Sequence, residues 1–206
     1  MHDDILHQVN RYYTQKIEQF GTTPQGVDWN SLASQHIRFD VLSTLINNTH
    51  SFSLLDYGCG YGAMFDYLKV QHPNFNYTGY DIAESMILAA KEMHASDKRA
   101  QWTLTIEPDQ QFDFTIASGI FNIKFEAHND AWLVYVLDTL HRINHVSQRG
   151  FAFNVLTQYS DQELMKAHLY YADPLFLFDY CKKHFSGQVA LLHDYNLYEF
   201  TIRVLK

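Results

Sequence analysis

The sequence predicts an α/β fold in which a doubly wound, mainly parallel sheet of seven strands carries helices on both faces. From Ser53 onward, short apolar runs alternate with amphipathic helical patterns, and repeated strand–helix units of this kind form parallel sheets. Before them, 2–20 and 31–45 carry apolar residues at helical spacing, which predicts N-terminal helices. After them, apolar runs at 189–195 and 198–205 flank a short turn, which predicts an antiparallel C-terminal hairpin.

The predicted elements follow one another in a regular order along the chain. The five strands before the hairpin are placed at 53–57, 77–82, 101–106, 112–118 and 150–156. The helices between and after them end at Val70 or span 84–94, 129–144 and 174–185, and a shorter helical pattern spans 161–169. We expect one domain, 1–206, in which 1–50 form a helical cap and 51–206 form the core.

Composition and charge argue against several classes of protein. A net charge of -8 without any basic run argues against a nucleic-acid partner, because such proteins neutralise phosphates with clustered Lys and Arg. Two cysteines, Cys59 and Cys181, do not make a disulfide framework, which favours a reducing, cytoplasmic setting. The first residues lack the basic region of a secretory signal, and no apolar run is long enough to span a bilayer. We therefore expect no membrane association.

A glycine-rich turn follows the first predicted strand. In SLLDYGCGYGAMFDYL, Gly58, Gly60 and Gly62 separate an apolar run from a helical pattern, which is the layout of a nucleotide-binding crossover. Asp81 ends the second strand about twenty residues later, where doubly wound folds place a carboxylate on ribose hydroxyls. The glycines also fit a dinucleotide fingerprint, so NAD is an alternative cofactor. Against NAD, the turn comes late in the chain, after helical sequence, and an acid, Asp56, precedes its first glycine.

Two stretches, LDYGCGYG and YTGYDIAESMI, resemble motif I and the ribose-binding strand of class I S-adenosylmethionine-dependent methyltransferases. The resemblance covers most of the chain and implies a Rossmann-like methyltransferase fold. It also implies S-adenosylmethionine as methyl donor and S-adenosylhomocysteine as product. Together with the strand ends, it gives these candidates for cofactor binding: Asp56, Gly58, Cys59, Gly60, Gly62, Asp81, Ile82, Met86, Ser118 and Gly119.

The resemblance implies separate roles for some of these residues. The three glycines would let the methionine portion of the cofactor lie against the main chain, and Asp81 would accept hydrogen bonds from both ribose hydroxyls. Asp56 would lie beneath the turn, near the cofactor's amino group. Residues 107–110 (EPDQ) lack the Gly-Asp pair that many relatives use beside adenine, so the adenine contacts stay unassigned.

The segment between the two N-terminal helical patterns, GVDWNSLASQHIRF, supplies further candidates for the cofactor cleft. These are Trp29, Gln35 and Arg38. The cofactor carries a carboxylate, and the planar guanidinium of Arg suits that group. We hypothesise that Arg38 holds the carboxylate with support from Gln35. The alternative is a surface salt bridge and a tryptophan that only packs.

Methyl transfer needs a base only when the acceptor is a hydroxyl or a protonated amine. His193, just before the hairpin turn, is the first candidate because histidine titrates near neutral pH. Tyr171 and His168 are weaker candidates. An acceptor pocket could be lined by Tyr12, Tyr13, Phe121, Asn122, Asn154 and Tyr159, with Tyr170 and Tyr171 nearby. The polar tips of these side chains favour a hydroxylated acceptor, such as a sugar or a polyketide-like compound.

The sequence therefore favours a methyltransferase that acts on a small-molecule or glycan-related acceptor, with O-methylation ahead of N-methylation. Two alternatives are a cofactor-binding partner subunit without catalytic activity and an NAD-dependent oxidoreductase. No metal site is expected, because His141 and His145 have helical spacing but no third ligand near them in sequence. The chain also lacks the Gly-x-Ser-x-Gly element of a hydrolase.

Overall fold

The computed structural model of the protein describes residues 2–46, 50–105, 108 and 110–206. The strands are β1 Phe52–Tyr57, β2 Phe75–Asp81, β3 Ala100–Leu104, β4 Phe112–Ala117, β5 Ser147–Leu156, β6 Gln188–Leu192 and β7 Glu199–Leu205. They form one sheet in the order β3-β2-β1-β4-β5-β7-β6. The pairs among β1 to β5 are parallel, whereas β7 runs antiparallel to both β5 and β6. The predicted fold class, with its antiparallel C-terminal hairpin, is confirmed.

The helices flank this sheet. They are α1 His2–Phe20, α2 Leu32–Ser43, α3 Ala63–Lys69, α4 Glu84–Met93, α5 Asn129–Val146 and α6 Pro174–His184. Short 3-10 turns occupy Pro24–Val27, Thr44–Ile46 and Gln162–Leu164. Among the helices of the described segments, none combines the length and the apolar character that a membrane crossing requires.

Burial explains why the central strands have continuous apolar sequences. β1 and β4 lie side by side at the centre of the sheet and are almost entirely buried, as expected for parallel strands covered on both faces. α1, α5 and α6 pack on one face around Trp132 and Phe153, and α2, α3 and α4 pack on the other around Phe65. Because β1 to β5 are parallel, their carboxyl ends meet at one edge of the sheet.

Two elements are shorter in the structure than the sequence predicts. The helical pattern at 161–169 yields only the turn Gln162–Leu164, because the main chain that follows pairs with the loop after β4 through an isolated bridge between Ile123 and Leu169. The sixth strand ends at Leu192 rather than at Tyr195. The third strand was predicted to reach Ile106, which lies outside the described residues.

Gly79 provides a test of packing between the sheet and the glycine turn. A Cβ at this position would lie 2.6 Å from the ring of Trp102 and 2.7 Å from Cys59 Sγ. We expect Gly79→Ala to lower the free energy of unfolding by about 1–3 kcal/mol through overpacking, measured by urea denaturation. Gly187→Ala is the matched control, because a Cβ there meets no atom within 4 Å. Equal stability of the two variants would contradict the prediction.

Candidate active site

Two adjoining cavities lie at the carboxyl ends of the parallel strands. The first, the glycine-turn cavity, is bounded by the turn after β1, the ends of β2 and β4, and the N-terminal segment. Of the predicted cofactor residues, those that line it are Asp56, Gly58, Cys59, Gly60, Asp81, Ile82, Met86, Ser118, Gly119, Trp29 and Gln35. Gly62 and Arg38 do not line it.

The turn that forms the floor of this cavity depends on glycine. Gly58, Gly60 and Gly62 have φ angles of +85°, +54° and +91°, a region that residues with a Cβ rarely adopt. Space is also short, because a Cβ on Gly60 would lie 2.9 Å from Val27 Cγ1 in the N-terminal segment. The glycines therefore leave main-chain atoms exposed to the cavity.

Asp81 fixes the shape of the turn. Its Oδ2 accepts a hydrogen bond from the Gly60 N–H at 2.8 Å, and its Oδ1 accepts one from the Ala83 N–H at 2.9 Å. Burial raises the pKa of Asp81, and these main-chain hydrogen bonds oppose that rise. Each carboxylate oxygen can accept a further hydrogen bond, so Asp81 can also bind a ligand.

Asp56 is a second carboxylate in the same cavity and is only 2% exposed. Burial raises its pKa to about 7, although the Tyr77 hydroxyl donates a hydrogen bond to Oδ2 and opposes the rise. Repulsion from Asp81 adds to the rise. A cationic ligand in the cavity would favour the ionised form of Asp56.

Ser118 directly follows β4, and its hydroxyl oxygen is buried and has no hydrogen-bond partner among the described residues. The next residue, Gly119, donates its N–H to Asn154 Oδ1 at 2.8 Å. A buried hydroxyl without a hydrogen-bond partner destabilises the folded state, unless a ligand or a water molecule forms the missing hydrogen bond. Ser118 is also among the residues that line the glycine-turn cavity.

The N-terminal segment covers this cavity. Val27 lies against Gly60, and the Trp29 ring lies against Gly119, where a Cβ would be 2.5 Å from the ring. α1 is attached to the core by Asn10, whose Nδ2 donates to the Ile82 carbonyl at 2.9 Å. The helical cap therefore contacts the glycine turn and the ends of β2 and β4.

Arg38 does not occupy the position that we predicted for it. It is buried, its Nη2 pairs with the Glu199 carboxylate, and its Nη1 donates to the Ser34 carbonyl at 2.7 Å. The guanidinium carbon lies 4.0 Å from the centroid of the Trp29 ring. A fully buried carboxylate such as that of Glu199 requires a cation, which explains the pairing. Gln35, in contrast, lines the glycine-turn cavity and hydrogen-bonds Tyr61.

Two predicted acceptor residues are buried and line neither cavity. Phe121 is fully buried in the core, where its carbonyl accepts a hydrogen bond from Trp132 Nε1 at 2.9 Å. Asn154 is also fully buried, with Nδ2 donating to Glu199. Phe121 is directed into the sheet–helix packing, and the amide of Asn154 is occupied by Gly119 and Glu199.

The second cavity, the tyrosine cavity, adjoins the first. It shares Tyr13, Val27, Trp29 and Gly119 with the glycine-turn cavity. The other polar side chains that line it are those of Tyr12, Lys16, Asp28, Asn30, Arg38, Asn122, Ser160, Lys166, His168, Tyr171 and Tyr198. Of the predicted acceptor and catalytic residues, Tyr12, Tyr13, Asn122, His168 and Tyr171 thus lie together.

His193, the first candidate for a base, lies elsewhere. It is exposed just beyond β6, and its ring packs 6.1 Å from that of Tyr159 and 5.9 Å from that of Phe200. Neither His193 nor Tyr159 lines either cavity. β6 ends one residue before His193, so the structure places this side chain at the surface and outside both cavities.

Sequence reasoning missed several residues of the two cavities. Asp28 lies next to Trp29 within GVDWNSLASQHIRF, the segment that supplied the other cleft candidates, so its carboxylate was a signal that the sequence offered. No sequence pattern indicates that the side chains of Lys16 and Tyr61 line a cavity. The hydroxyl of Tyr77 reaches Asp56 only because β1 and β2 are neighbours in the sheet. Among the described residues, no group of three or more His, Cys, Asp or Glu side chains could hold a metal ion.

Comparisons with known proteins agree with this geometry. A family described as "Methyltransferase domain" matches residues 55–148. The protein named "Putative methyltransferase Rv1506c" of Mycobacterium tuberculosis is 44% identical over 162 residues, which cover 79% of this chain and 98% of that protein.

Solved structures share the fold at low sequence identity. The DhpI-SAM-HEP complex is 12% identical, with a TM-score of 0.68 and coverage of 97% of this chain and 96% of that one. Magnesium protoporphyrin IX methyltransferase from Synechocystis PCC 6803, with bound SAM, is 13% identical, with a TM-score of 0.60 and coverage of 84% and 79%. The chain belongs to the class I S-adenosylmethionine-dependent methyltransferases, which use S-adenosylmethionine as methyl donor and release S-adenosylhomocysteine.

Proposed function

We propose that this methyltransferase binds S-adenosylmethionine in the glycine-turn cavity and methylates a hydroxyl group of a small-molecule or glycan-related acceptor in the tyrosine cavity. The observation that carries the proposal is the wall that the two cavities share. Tyr13, Val27, Trp29 and Gly119 line both, so molecules in the two cavities can meet there. Methyl transfer is an in-line displacement, which requires such a meeting of donor and acceptor.

The glycine-turn cavity suits the chemical groups of the cofactor. Its floor of left-handed glycines leaves main-chain atoms free to contact the methionine portion. Asp81 can still accept hydrogen bonds from the two ribose hydroxyls of the cofactor. Asp56 offers a buried carboxyl group to the cationic amino group of the cofactor. Gln35 and the unpartnered hydroxyl of Ser118 supply uncharged polar contacts. Met86 and Ile82 add apolar lining, which suits the flat surface of a nucleoside.

The protein's main task in the reaction is to orient the reactants and exclude water. The bound cofactor supplies an electrophilic methyl group. Val27 and Trp29 cover the glycine turn and Gly119, which limits access of solvent to the shared wall. The tyrosine cavity would place the acceptor beside the residues that both cavities share, next to the cofactor. Such orientation alone can lower the barrier by on the order of 7 kcal/mol or more in favourable cases.

The tyrosine cavity supports a hydroxylated acceptor. Tyr12, Tyr13, Tyr171 and Tyr198 line it together with Asn122, and phenol and amide groups can exchange hydrogen bonds with hydroxyl groups. Solved structures that share the fold include the CurJ carbon methyltransferase and the plantazolicin methyltransferase BpumL. The shared fold therefore leaves the acceptor open, and the side chains of this cavity are the guide to it.

Calorimetric titration with S-adenosylmethionine, S-adenosylhomocysteine and NAD tests the cofactor site. We expect both sulfur nucleosides to bind and NAD not to bind. Asp81→Asn should weaken binding about 10-fold or more, because hydrogen bonds to a charged group are worth about 1.5–3 kcal/mol. Asp97→Asn is the control, since Asp97 pairs with Arg99 away from the cavity. Undiminished binding in Asp81→Asn would contradict the role of Asp81, and binding of NAD alone would contradict the proposed cofactor site.

Ser118→Ala should separate binding from stability. The hydroxyl has no partner among the described residues, so its removal should leave the thermal midpoint unchanged or raise it. Its loss should weaken S-adenosylmethionine binding about 3- to 10-fold if the hydroxyl bonds the cofactor, roughly the worth of one net hydrogen bond. Calorimetry and thermal unfolding of the same preparation measure both effects. A lower thermal midpoint with unchanged affinity would show a structural role instead.

The raised pKa of Asp56 predicts a dependence of stability on pH. The folded pKa of about 7 lies above the unfolded value, so protonation stabilises the fold at low pH and this contribution is lost as pH rises through about 7. We expect Asp56→Asn to gain thermal stability relative to the unchanged protein between about pH 5 and about pH 8.

Asp97→Asn provides the control for this titration. Arg99 lowers the pKa of Asp97 to about 2, so that carboxylate stays ionised over the same range. Its difference from the unchanged protein should therefore be constant with pH. Parallel pH curves for Asp56→Asn and the unchanged protein would contradict the assignment to Asp56.

A further inference from the structure

A carboxylate that sequence reasoning did not single out, that of Asp28, lines the tyrosine cavity beside the shared wall. Asp28 stands between Val27 and Trp29, and both of these neighbours line the glycine-turn cavity as well. The side chain of Asp28 is about one-third exposed, with 33% of its surface accessible. It is thus close to the place where donor and acceptor meet and remains open to solvent.

Two groups of α1 hold this carboxylate. The Tyr12 hydroxyl donates to Oδ2 at 2.8 Å, and Lys16 Nζ pairs with Oδ1 at 2.6 Å. The Tyr12 contact shows that Asp28 can accept a hydrogen bond from a phenolic hydroxyl at ordinary distance. The nearby ammonium group of Lys16 disfavours a second cation, such as a protonated amine, but is compatible with a neutral hydroxyl.

Asp28 has a positive φ of 65° because it caps the turn Pro24–Val27. Asp adopts this left-handed conformation more readily than most residues. The Tyr12 ring, whose hydroxyl holds Asp28, also meets the Phe125 ring edge-on, with the ring centroids 5.6 Å apart.

We propose that Asp28 is the catalytic base that takes the proton from an acceptor hydroxyl. The proposal rests on the proposed function and specifies its acceptor as a hydroxyl compound. The hydroxyl oxygen forms a bond to the transferred methyl carbon, and the methyl–sulfur bond breaks with its electron pair left on sulfur. The hydroxyl proton passes to the Asp28 carboxylate and from there to solvent, which the exposure of this side chain permits.

Other charged or titratable side chains line the tyrosine cavity together with Asp28. Within the tyrosine cavity, the other charged or titratable side chains are Tyr12, Tyr13 and Lys16 of α1, Arg38 of α2, Lys166, His168 and Tyr171 after β5, and Tyr198 before β7. Of these, Arg38 is paired with Glu199. Asp28 is the one carboxylate among the described residues that line this cavity.

The test compares the unchanged protein with Asp28→Asn, which keeps the size of the side chain and tolerates positive φ. Phenol, 4-nitrophenol, glycerol and benzylamine serve as acceptor probes, and release of S-adenosylhomocysteine is measured. We expect Asp28→Asn to bind S-adenosylmethionine normally and to methylate phenol about 100-fold or more slowly. Ionised 4-nitrophenol needs no base, so its methylation should change little.

A spectroscopic readout adds information that does not depend on turnover. The absorbance of 4-nitrophenol reports its ionisation when it is bound to the complex with S-adenosylhomocysteine. A neighbouring carboxylate opposes ionisation of the phenol, so its pKa should be lower in the complex with Asp28→Asn than in that with the unchanged protein. Asp179→Asn is the matched control, because Asp179 forms the same kind of pair with Lys183, also at 2.6 Å, on the exposed face of α6.

Several results would overturn the proposal. These are equal slowing with phenol and 4-nitrophenol, undiminished methylation by Asp28→Asn, an unshifted absorbance titration, or no binding or methylation of any hydroxyl probe. Methylation of benzylamine alone would overturn the hydroxyl acceptor of the proposed function as well. Normal methylation of hydroxyl probes by Asp28→Asn would overturn only the role of Asp28 and leave the proposed function standing.

Discussion

The buried ion pair between Arg38 and Glu199 connects the N-terminal helices to the far side of the sheet. Arg38 stacks on Trp29 and pairs with Glu199 at the start of β7, while Asn154 of β5 joins Glu199 to the Gly119 main chain. Removing one partner of such a pair typically costs about 3–5 kcal/mol, because the other charge is left buried and uncompensated. Contacts of Arg38 and of Asn154 therefore hold Trp29 and Gly119, two of the residues that line both cavities.

On the cofactor side, two carboxylates act under different constraints. Asp81 is held by the main chain of Gly60 and Ala83, so its position is fixed by the backbone of the turn. Asp56 is held by a phenol, that of Tyr77, in a site where burial favours the neutral form. A cation bound in this cavity would compensate for the burial of Asp56 and would favour its ionised form.

On the acceptor side, α1 and the loop that follows it provide most of the polar groups next to the shared wall. Tyr12, Lys16 and Asp28 form one hydrogen-bonded cluster, and the wall itself includes Tyr13 and Trp29 from the same segment. In the proposed function, the strand ends and the glycine turn contribute Asp56 and Asp81 to the cofactor site, and the N-terminal segment contributes Tyr12, Lys16 and Asp28 to the acceptor site.

The sequence by itself determined the fold class, the glycine turn and the two acids at the ends of β1 and β2. These features are local, because apolar runs, glycine turns and strand ends each depend on residues that are adjacent in the sequence. Only the tertiary structure decided which polar side chains face a cavity. It paired Arg38 with Glu199, buried Phe121 and Asn154, directed His193 to the surface and brought Asp28 to Tyr12. Those outcomes depend on contacts between residues far apart in the chain, and neither spacing nor residue type encodes them.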